Sequence, residues 1–418
     1  MSLRALYVDF NSYFASVEQQ ERPQLRGKAI GVLPVMAETT CCIAASYEAK
    51  AFGVKTGTPV REARKLCPDI IFVEARPYLY VDYHHRLVEI VESCTPVERT
   101  LSIDEMVCRL TGSQQQKDNA LALAAHIKQV LADKAGNFIR SSIGIAPNMF
   151  LAKVASDMQK PDGCVVIQLQ DLPDKLFSLE LRDLYGIGKR TEQRLNRNNI
   201  FTVRDLYAMN PQQLRAAWGS IEGERLYEKL RGREPYEASH PRSSLGHSHV
   251  LPPELRTPKG ALSVLHRLLQ KACMRLRNYS LHASSVRISI KFMDEPGWSI
   301  ESACAPTDDT LQLTQALNTL WQRFPDDAPA PYKVGVSLGK LMEPQDQTLA
   351  LFPRPTRTSQ HSLDKALDTL NLRYGKNAVY FGGAHNALNN APMRIAFNHI
   401  PDPIIEGDDT FHAAEDRK

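Results

Sequence analysis

Leu3-Arg-Ala-Leu-Tyr-Val-Asp-Phe10 is a short, nearly unbroken apolar run that ends on a carboxylate, the pattern of a buried strand. Asn11 and Ser12 follow as helix N-cap candidates before Tyr13-Phe-Ala-Ser-Val-Glu18. Residues 46–52 predict a short helix with Ser46 as its cap and Gly53 as its stop. A strand or strand pair is expected over 99–110 around Ser102-Ile-Asp-Glu105. An amphipathic helix is expected over 119–133, and a further strand over Ser142-Ile-Gly-Ile-Ala146, closed by Pro147. This alternation suits an α+β domain of ferredoxin-like type, with the strand order left open.

The pattern then changes. Residues 171–234 read as helical throughout, with short Gly and Asn breaks. Residues 235–258 are rich in Pro, Ser and His and read as a linker or an entry loop. A long helix fits 259–278 and strands fit 284–293 and 332–339, a second α+β unit. Beyond 341 the chain reads as loop, apart from an amphipathic helix near 362–373 carried by Leu363, Ala366, Leu367 and Leu370.

Composition narrows the class. The chain has 418 residues, 43% apolar and 23% charged, which excludes a predominantly disordered or collagen-like protein. Length alone suggests about three domains. None of the eight cysteines forms a Cys-x-x-Cys pair, so they read as buried thiols in a reducing cytoplasm. The apolar run after Arg4 stops at Asp9, too soon for a secretory leader, and no stretch is long enough to span a bilayer. A cytoplasmic protein with no membrane partner is therefore expected.

The net charge of +4 conceals an uneven distribution. Residues 242–291 hold nine Lys/Arg against Glu254 alone, a local +8 that leaves the remainder at −4. Such an excess is a candidate nucleic-acid footprint, and equally the solvated face of a helix.

Asp9 closes one strand, and Asp104 and Glu105 sit together on another. Three converging carboxylates repel one another unless divalent cations lie between them. Carboxylate oxygens with substrate phosphates are the usual surroundings of Mg²⁺, and two such ions can activate a hydroxyl and stabilise a leaving pyrophosphate. Taken alone, an Asp-Glu pair at a strand end is more often simply solvated.

The surrounding residues change that weighting. Val8-Asp-Phe-Asn-Ser-Tyr-Phe-Ala-Ser-Val-Glu18 resembles the opening motif of the Y-family translesion DNA polymerases. So do Ser46-Tyr-Glu-Ala-Lys-Ala-Phe-Gly-Val54, Ser102-Ile-Asp-Glu-Met106, and the long run from Ser142 to Lys160-Pro-Asp-Gly163. The resemblance extends from about residue 3 to about 340. Leu370-Asn-Leu-Arg-Tyr-Gly375 and Val379-Tyr-Phe-Gly-Gly383 are most similar to the UmuC/DinB side of the family.

The resemblance implies roles position by position. Asp9, Asp104 and Glu105 match the metal-binding and catalytic carboxylates, with the Phe10 carbonyl joining them around two Mg²⁺. Phe14 matches the aromatic steric gate that leaves no room for a ribose 2′-hydroxyl. Tyr13, its neighbour, is grouped with the nucleotide contacts as a packing or supporting ring. Tyr47 and Lys50, at i and i+3 on the short helix, share a face toward the triphosphate. Lys50 stands where many relatives carry Arg, and Ala44 where relatives often carry a hydroxyl residue. Lys160 matches a lysine that reaches the β/γ-phosphates.

Gly186-Ile-Gly188-Lys189-Arg190 resembles the family's helix-hairpin-helix, whose backbone N–H groups and basic side chains face a DNA phosphate. The basic segment falls where the family has its little finger, which puts Arg275, Arg277 and Arg287 on DNA. Gln347-Thr-Leu349-Ala-Leu351-Phe352 is similar to bacterial sliding-clamp-binding peptides.

The implied fold is an α+β multidomain right hand. It has a ferredoxin-like palm (1–26 and 75–166), small fingers (27–74), a helical thumb (167–234), a linker (235–244), an α+β little finger (245–341) and a tail (342–418). The implied activity is template-directed, error-prone synthesis from deoxynucleoside triphosphates on primer–template DNA, in damage tolerance, with a sliding clamp and a UmuD-like subunit as further partners. A non-catalytic DNA- and clamp-binding accessory subunit would lack the three acids. A nucleotide cyclase would share the palm but not the thumb or the basic C-terminal half.

Overall fold

The computed structural model describes residues 2–236, 242–346, 357–375, 377–392 and 400–402. They form two compact units, one of residues up to 236 and one made of most of the residues from 242 onward.

The first unit opens with β1 (Ala5–Phe10), buried at every position, as its apolar run requires. Then come α1 (Tyr13–Glu21), β2 (Ile30–Leu33), β3 (Ala44–Ala45), α2 (Tyr47–Lys50), α3 (Val60–Leu66), β4 (Ile71–Glu74), α4 (Pro77–Cys94), β5 (Val97–Thr100) and β6 (Glu105–Arg109). After these follow α5 (Lys117–Ala135), β7 (Ser141–Ala146), α6 (Met149–Met158) and β8 (Cys164–Val166). Five strands make one sheet in the order β5-β6-β1-β7-β8, with β1 central and antiparallel to both neighbours. Residues 30–74 make a separate small sheet, β3-β2-β4.

Ser46 caps α2 as expected, accepting from the Ala49 N–H. Ser12 does not cap α1. Its backbone is left-handed at φ 47°, and its hydroxyl accepts nothing from the helix. Asn11 is not the cap either, because its side chain is engaged by Ser142 and by the Asp162 N–H.

Gly144 on β7 decides how close α6 can come. A Cβ there would lie 1.9 Å from the Ala152 carbonyl oxygen, so only glycine allows this helix–strand approach. Asn148 caps α6 through the Leu151 N–H and also donates to the Lys229 and Arg233 carbonyls. It thereby ties the helix to α10 of the helical segment that follows. That segment comprises α7 (Lys189–Asn196), α8 (Val203–Ala208), α9 (Pro211–Trp218) and α10 (Glu222–Leu230). Its Leu195, Leu206, Leu214 and Leu230 share one apolar core with Leu151 and Val154 of α6.

The second unit holds β9 (Ser244–Val250), α11 (Pro258–Asn278), β10 (Ala283–Lys291), β11 (Trp298–Thr307), α12 (Thr310–Trp321), β12 (Lys333–Gly339) and α13 (Arg357–Tyr374). Its sheet is antiparallel in the order β11-β10-β12-β9, and buried residues of α11 and α12 join its core. The linker expected over 235–258 therefore contains a full strand, β9. Two elements, β11 and α12, were not anticipated.

The part of the chain beyond 341 that is described is also more ordered than a loop. Ser263 donates to the Gly383 carbonyl and Lys271 to that of Ala391, so residues 377–391 lie along α11. The clamp-peptide residues Gln347, Leu349, Leu351 and Phe352 lie outside the described residues. Among the described residues no helix is long and apolar enough to cross a membrane.

Candidate active site

The β1/β6 ladder places Asp9 directly opposite Glu105. Asp104 precedes β6 in a tight turn, and its carbonyl accepts from the Phe10 N–H at 2.9 Å. The Ser102 hydroxyl lies 2.7 Å from Asp104 Oδ1 and 3.0 Å from Glu105 Oε2, holding both side chains in place. The turn is pinned from behind by His84 Nδ1, 2.8 Å from the Ile103 carbonyl. The three carboxylates named from sequence are thus gathered at one end of the central strand.

Their setting is only partly wet. Asp9 is 5% exposed. Burial, helped by Asp9 and Glu105 and opposed by the Ser102 hydrogen bond, raises the Asp104 pKa to about 6.

Two lysines meet these acids. Lys153 of α6, 8% exposed, puts its Nζ 2.5 Å from Asp9 Oδ2, 2.7 Å from Glu105 Oε1 and 3.2 Å from Asp157. Burial disfavours its charge, but Asp9, Asp157 and Glu105 outweigh burial and hold its pKa above the ordinary lysine value. Lys160 Nζ lies 2.7 Å from Asp9 Oδ2 and 2.8 Å from Asp157 Oδ1. Among the described residues no three His, Cys, Asp or Glu side chains stand as a ready cation cage, and lysine ammonium groups sit on oxygens of Asp9 and Glu105. The donor set itself, hard carboxylate oxygens around the Phe10 backbone, suits Mg²⁺.

Lys153 and Asp157 were missed from sequence, although both lie inside a quoted motif. Their signal was a charged pair at i and i+4 on a helix that is otherwise apolar around them (Phe150, Leu151, Val154, Ala155).

Tyr47 and Lys50 share a face of α2 as expected, with Lys50 Nζ 4.4 Å from the Tyr47 ring centroid. Burial lowers the Lys50 pKa and nearby Lys160 lowers it further, whereas Asp9 raises it. Tyr47, Lys50, Lys160 and Asp9 therefore stand within electrostatic reach of one another.

Phe14 lies on Tyr80 of α4, with ring centroids 4.6 Å apart. Tyr13 is buried at 3% exposure and donates its hydroxyl to the Tyr80 carbonyl. It does not open onto a nucleotide, so its place among nucleotide contacts is corrected to one of support. Behind them Glu18, fully buried, accepts from the Tyr80 hydroxyl at 2.8 Å and from two Arg76 nitrogens at 3.0 and 2.7 Å.

Gly186 has a left-handed φ of 89°, and open space surrounds both Gly186 and Gly188 ahead of α7. Lys189 and Arg190 are exposed there, so the approach of a phosphate is unobstructed.

The three arginines of the basic segment behave differently. Arg277 is half-buried: Nε and Nη2 take the two Asp368 oxygens of α13 at 2.6 and 2.8 Å, and Nη1 bonds Thr310. Arg275 is 7% exposed and lies 3.2 Å from His247 Nε2. Both are engaged within the second unit and present little surface to a ligand, so the expectation that places them on DNA is set aside. Arg287 is exposed on β10 and paired with Glu301 of β11 at 2.6 Å.

Known proteins resemble this chain in the same places. The profile of the impB/mucB/samB family matches residues 8–157, and that of the family's C-terminal domain matches residues 242–351. A profile described as the thumb domain of DNA polymerase-iota matches residues 182–234. DNA polymerase IV of Moorella thermoacetica is 35% identical over 384 residues, covering 90% of this chain and 94% of the relative. DNA polymerase IV of Pelotomaculum thermopropionicum is 32% identical over 384 residues, covering 90% and 93%. Among solved structures, a Y-family polymerase chimera of Dbh and Dpo4 superposes with a TM-score of 0.69 at 26% identity, covering 81% of this chain and 99% of that one. An insertion ternary complex of Dbh DNA polymerase gives 0.56 at 26% identity, with the same coverage. With relatives matched along nearly their whole length and the acids gathered at the end of the central strand and its neighbour, the chain belongs to the impB/mucB/samB family, the DinB/UmuC-like Y-family polymerases, and is a DNA-directed DNA polymerase.

Proposed function

We propose that this polymerase performs error-prone translesion synthesis in DNA damage tolerance by two-metal phosphoryl transfer. The observation that carries the chemistry is the Asp9–Glu105 pairing across β1/β6, with Asp104 beside it and Tyr47, Lys50 and Lys160 nearby. Asp9, Asp104, Glu105 and the Phe10 carbonyl would hold two Mg²⁺. The ions would supply Lewis-acid activation of the primer hydroxyl and charge stabilisation at the departing pyrophosphate.

The chain's own groups do the positioning. Lys50 and Lys160 carry positive charge to the triphosphate, with the Tyr47 hydroxyl as a hydrogen-bond partner. Lys50 is a mobile point charge where a guanidinium would offer a planar fork. Phe14, backed by Tyr80, closes the space a 2′-hydroxyl would need. The loop at Gly186 and Gly188, with Lys189 and Arg190, holds the DNA backbone without reading sequence. On β10 the outward Arg287, Ser289 and Lys291 alternate with the buried Val286, Ile288 and Ile290, offering a second basic surface for phosphate.

In domain terms, residues 1–26 and 75–166 form the palm, 27–74 the fingers, 167–234 the thumb and 245–341 the little finger. Gln347–Phe352 is read as the sliding-clamp peptide, and a UmuD-like subunit remains a candidate partner.

Primer extension on undamaged and lesion-bearing templates tests this reading. Wild type is expected to extend both, and Asp104→Ala neither. Equal products from the two proteins would overturn the role of the acids.

A further inference from the structure

Lys153 is a buried ammonium inside a cluster of acids, and the function proposed above does not use it. Lysine is almost never buried unless it is paired. Here the pairing is with Asp9 Oδ2 at 2.5 Å and Glu105 Oε1 at 2.7 Å, oxygens that a divalent cation would need. Resting on the assignment of Asp9, Asp104 and Glu105 as cation ligands, we propose that Lys153 is a positioning residue that stands in for a divalent cation. It holds the acids together in the unloaded enzyme and cedes their oxygens on loading.

Three features support this. First, the lysine cannot retreat with its helix. Gly144 lets α6 pack directly on β7, with the Ala152 carbonyl 1.9 Å from where a Cβ would stand, so the backbone one residue before Lys153 is fixed. Its Nζ also lies 5.4 Å from the Tyr7 ring centroid.

Second, the charge balance requires a cation there. Among their described partners, Asp9, Glu105 and Asp157 meet only the cations Lys153 and Lys160, and Asp104 stands beside them on the Ser102 hydroxyl. Without Lys153, Glu105 would keep only the Ser102 hydroxyl from its described partners. Uncompensated carboxylates this close repel one another.

Third, Lys153 has somewhere to go. Asp157, one turn along α6, already lies 3.2 Å away and is 35% exposed in its side chain. A flexible stem with three N–H donors can keep the Asp157 contact while releasing Asp9 and Glu105. Being singly charged, Lys153 holds the acids less strongly than a dication would, so the exchange runs toward loading.

The test uses the full chain without DNA or nucleotide, at pH 8. Mn²⁺ serves as the probe, its free concentration read by electron paramagnetic resonance, alongside thermal melting with and without the ion. Lys153→Met should melt lower than wild type in chelator, recover most of the difference in saturating Mn²⁺, and bind Mn²⁺ about tenfold more tightly, roughly 1.4 kcal/mol. A role in packing alone would lower the melting point in both conditions and leave Mn²⁺ affinity unchanged, which would overturn the proposal.

Asp104→Asn separates this from failure of the site assignment. If it loses Mn²⁺ while Lys153→Met matches wild type, only the role of Lys153 falls. If Asp104→Asn binds Mn²⁺ like wild type, the acids are not the ligands and both readings fall. Should the Met variant not fold in either condition, Lys153→Gln, which keeps length and polarity but not charge, is judged by the same criterion.

Discussion

Phe14 lies nearly flat on Tyr80, their rings 4.6 Å apart and 23° from parallel. Tyr80 is itself locked by the hydrogen bond from its hydroxyl to the buried Glu18. The gate role proposed for Phe14 requires a ring that does not yield, and the contact that stiffens it comes from the neighbour. Phe14→Ala should lower the ratio of kcat/KM for deoxy- over ribonucleotides by at least about tenfold, roughly 1.4 kcal/mol. Tyr80→Ala, which leaves the gate in place but unsupported, should lower it less. Single-nucleotide insertion kinetics decide the matter. An unchanged ratio in Phe14→Ala would remove the gate, and a Tyr80→Ala effect as large as that of Phe14→Ala would move the gate to Tyr80.

Arg277 and the thumb loop should respond in opposite ways. Arg277 is half-buried in a bidentate pair with Asp368, whose side chain is 22% exposed, so Arg277→Ala should cost about 1–3 kcal/mol of stability by leaving that carboxylate without its partner. The salt dependence of DNA binding should not change. Lys189→Ala and Arg190→Ala should leave stability alone and each flatten the slope of log K against log salt by about 0.9. Urea unfolding and binding titrations at several salt concentrations measure both.

The same arginine shows where sequence reading reached its limit. Asp9, Asp104, Glu105, Tyr47, Lys50 and Lys160 sat in local motifs, where spacing and strand ends carry the information, and the fold brings them together. Arg277 was read by the sign of its charge. Its partners Asp364 and Asp368 arrive about ninety residues later, on the helix expected near 362–373, whose apolar stripe says nothing of what its acids meet. Charge along a chain shows what needs a partner but not whether the partner is DNA or protein. Strand β11 was missed for a related reason. Its residues are mostly exposed or half-exposed, so it lacks the apolar alternation that marked β10. Lys153 went unnoticed because a Lys–Asp pair in an apolar helix is meaningful only once the strand beneath it is known to end in carboxylates.

His84 sets a pH dependence on the first unit. Burial lowers its pKa and His85 lowers it further, while its hydrogen bond to the Ile103 carbonyl opposes them. The native state keeps His84 neutral where the unfolded chain would take up a proton. Its contribution is therefore complete above the ordinary histidine range and is lost as pH falls through it. Asp104, with its pKa raised to about 6, acts in the opposite direction over this range, so the His84 contribution is read as the change in urea midpoint from pH 7 to pH 5 relative to a variant that cannot titrate there. His84→Gln, which keeps a donor for Ile103 but cannot titrate, should decline less. Parallel curves would assign the acid sensitivity to other groups.

Lys160 reaches Asp9 and Asp157 from a loop whose other anchor is on α5. The loop after it is held at Asp162, whose N–H donates to Asn11 Oδ1 at 2.8 Å. The Asp162 carbonyl and carboxylate take Lys128 Nζ of α5 at 2.6 and 2.7 Å. Asp162 has a left-handed φ of 59°, a conformation that needs such restraints to persist. Lys128→Ala should let the loop relax and so weaken placement of the Lys160 charge. KM for the incoming nucleotide should rise several-fold, with kcat changing less. A general loss of structure would also raise KM, so the double mutant is the decisive case. If Lys128 acts through Lys160, adding Lys128→Ala to Lys160→Ala should change KM little, giving a coupling of about 0.5–1 kcal/mol. Fully additive effects would mean that Lys128 serves the fold and not the nucleotide.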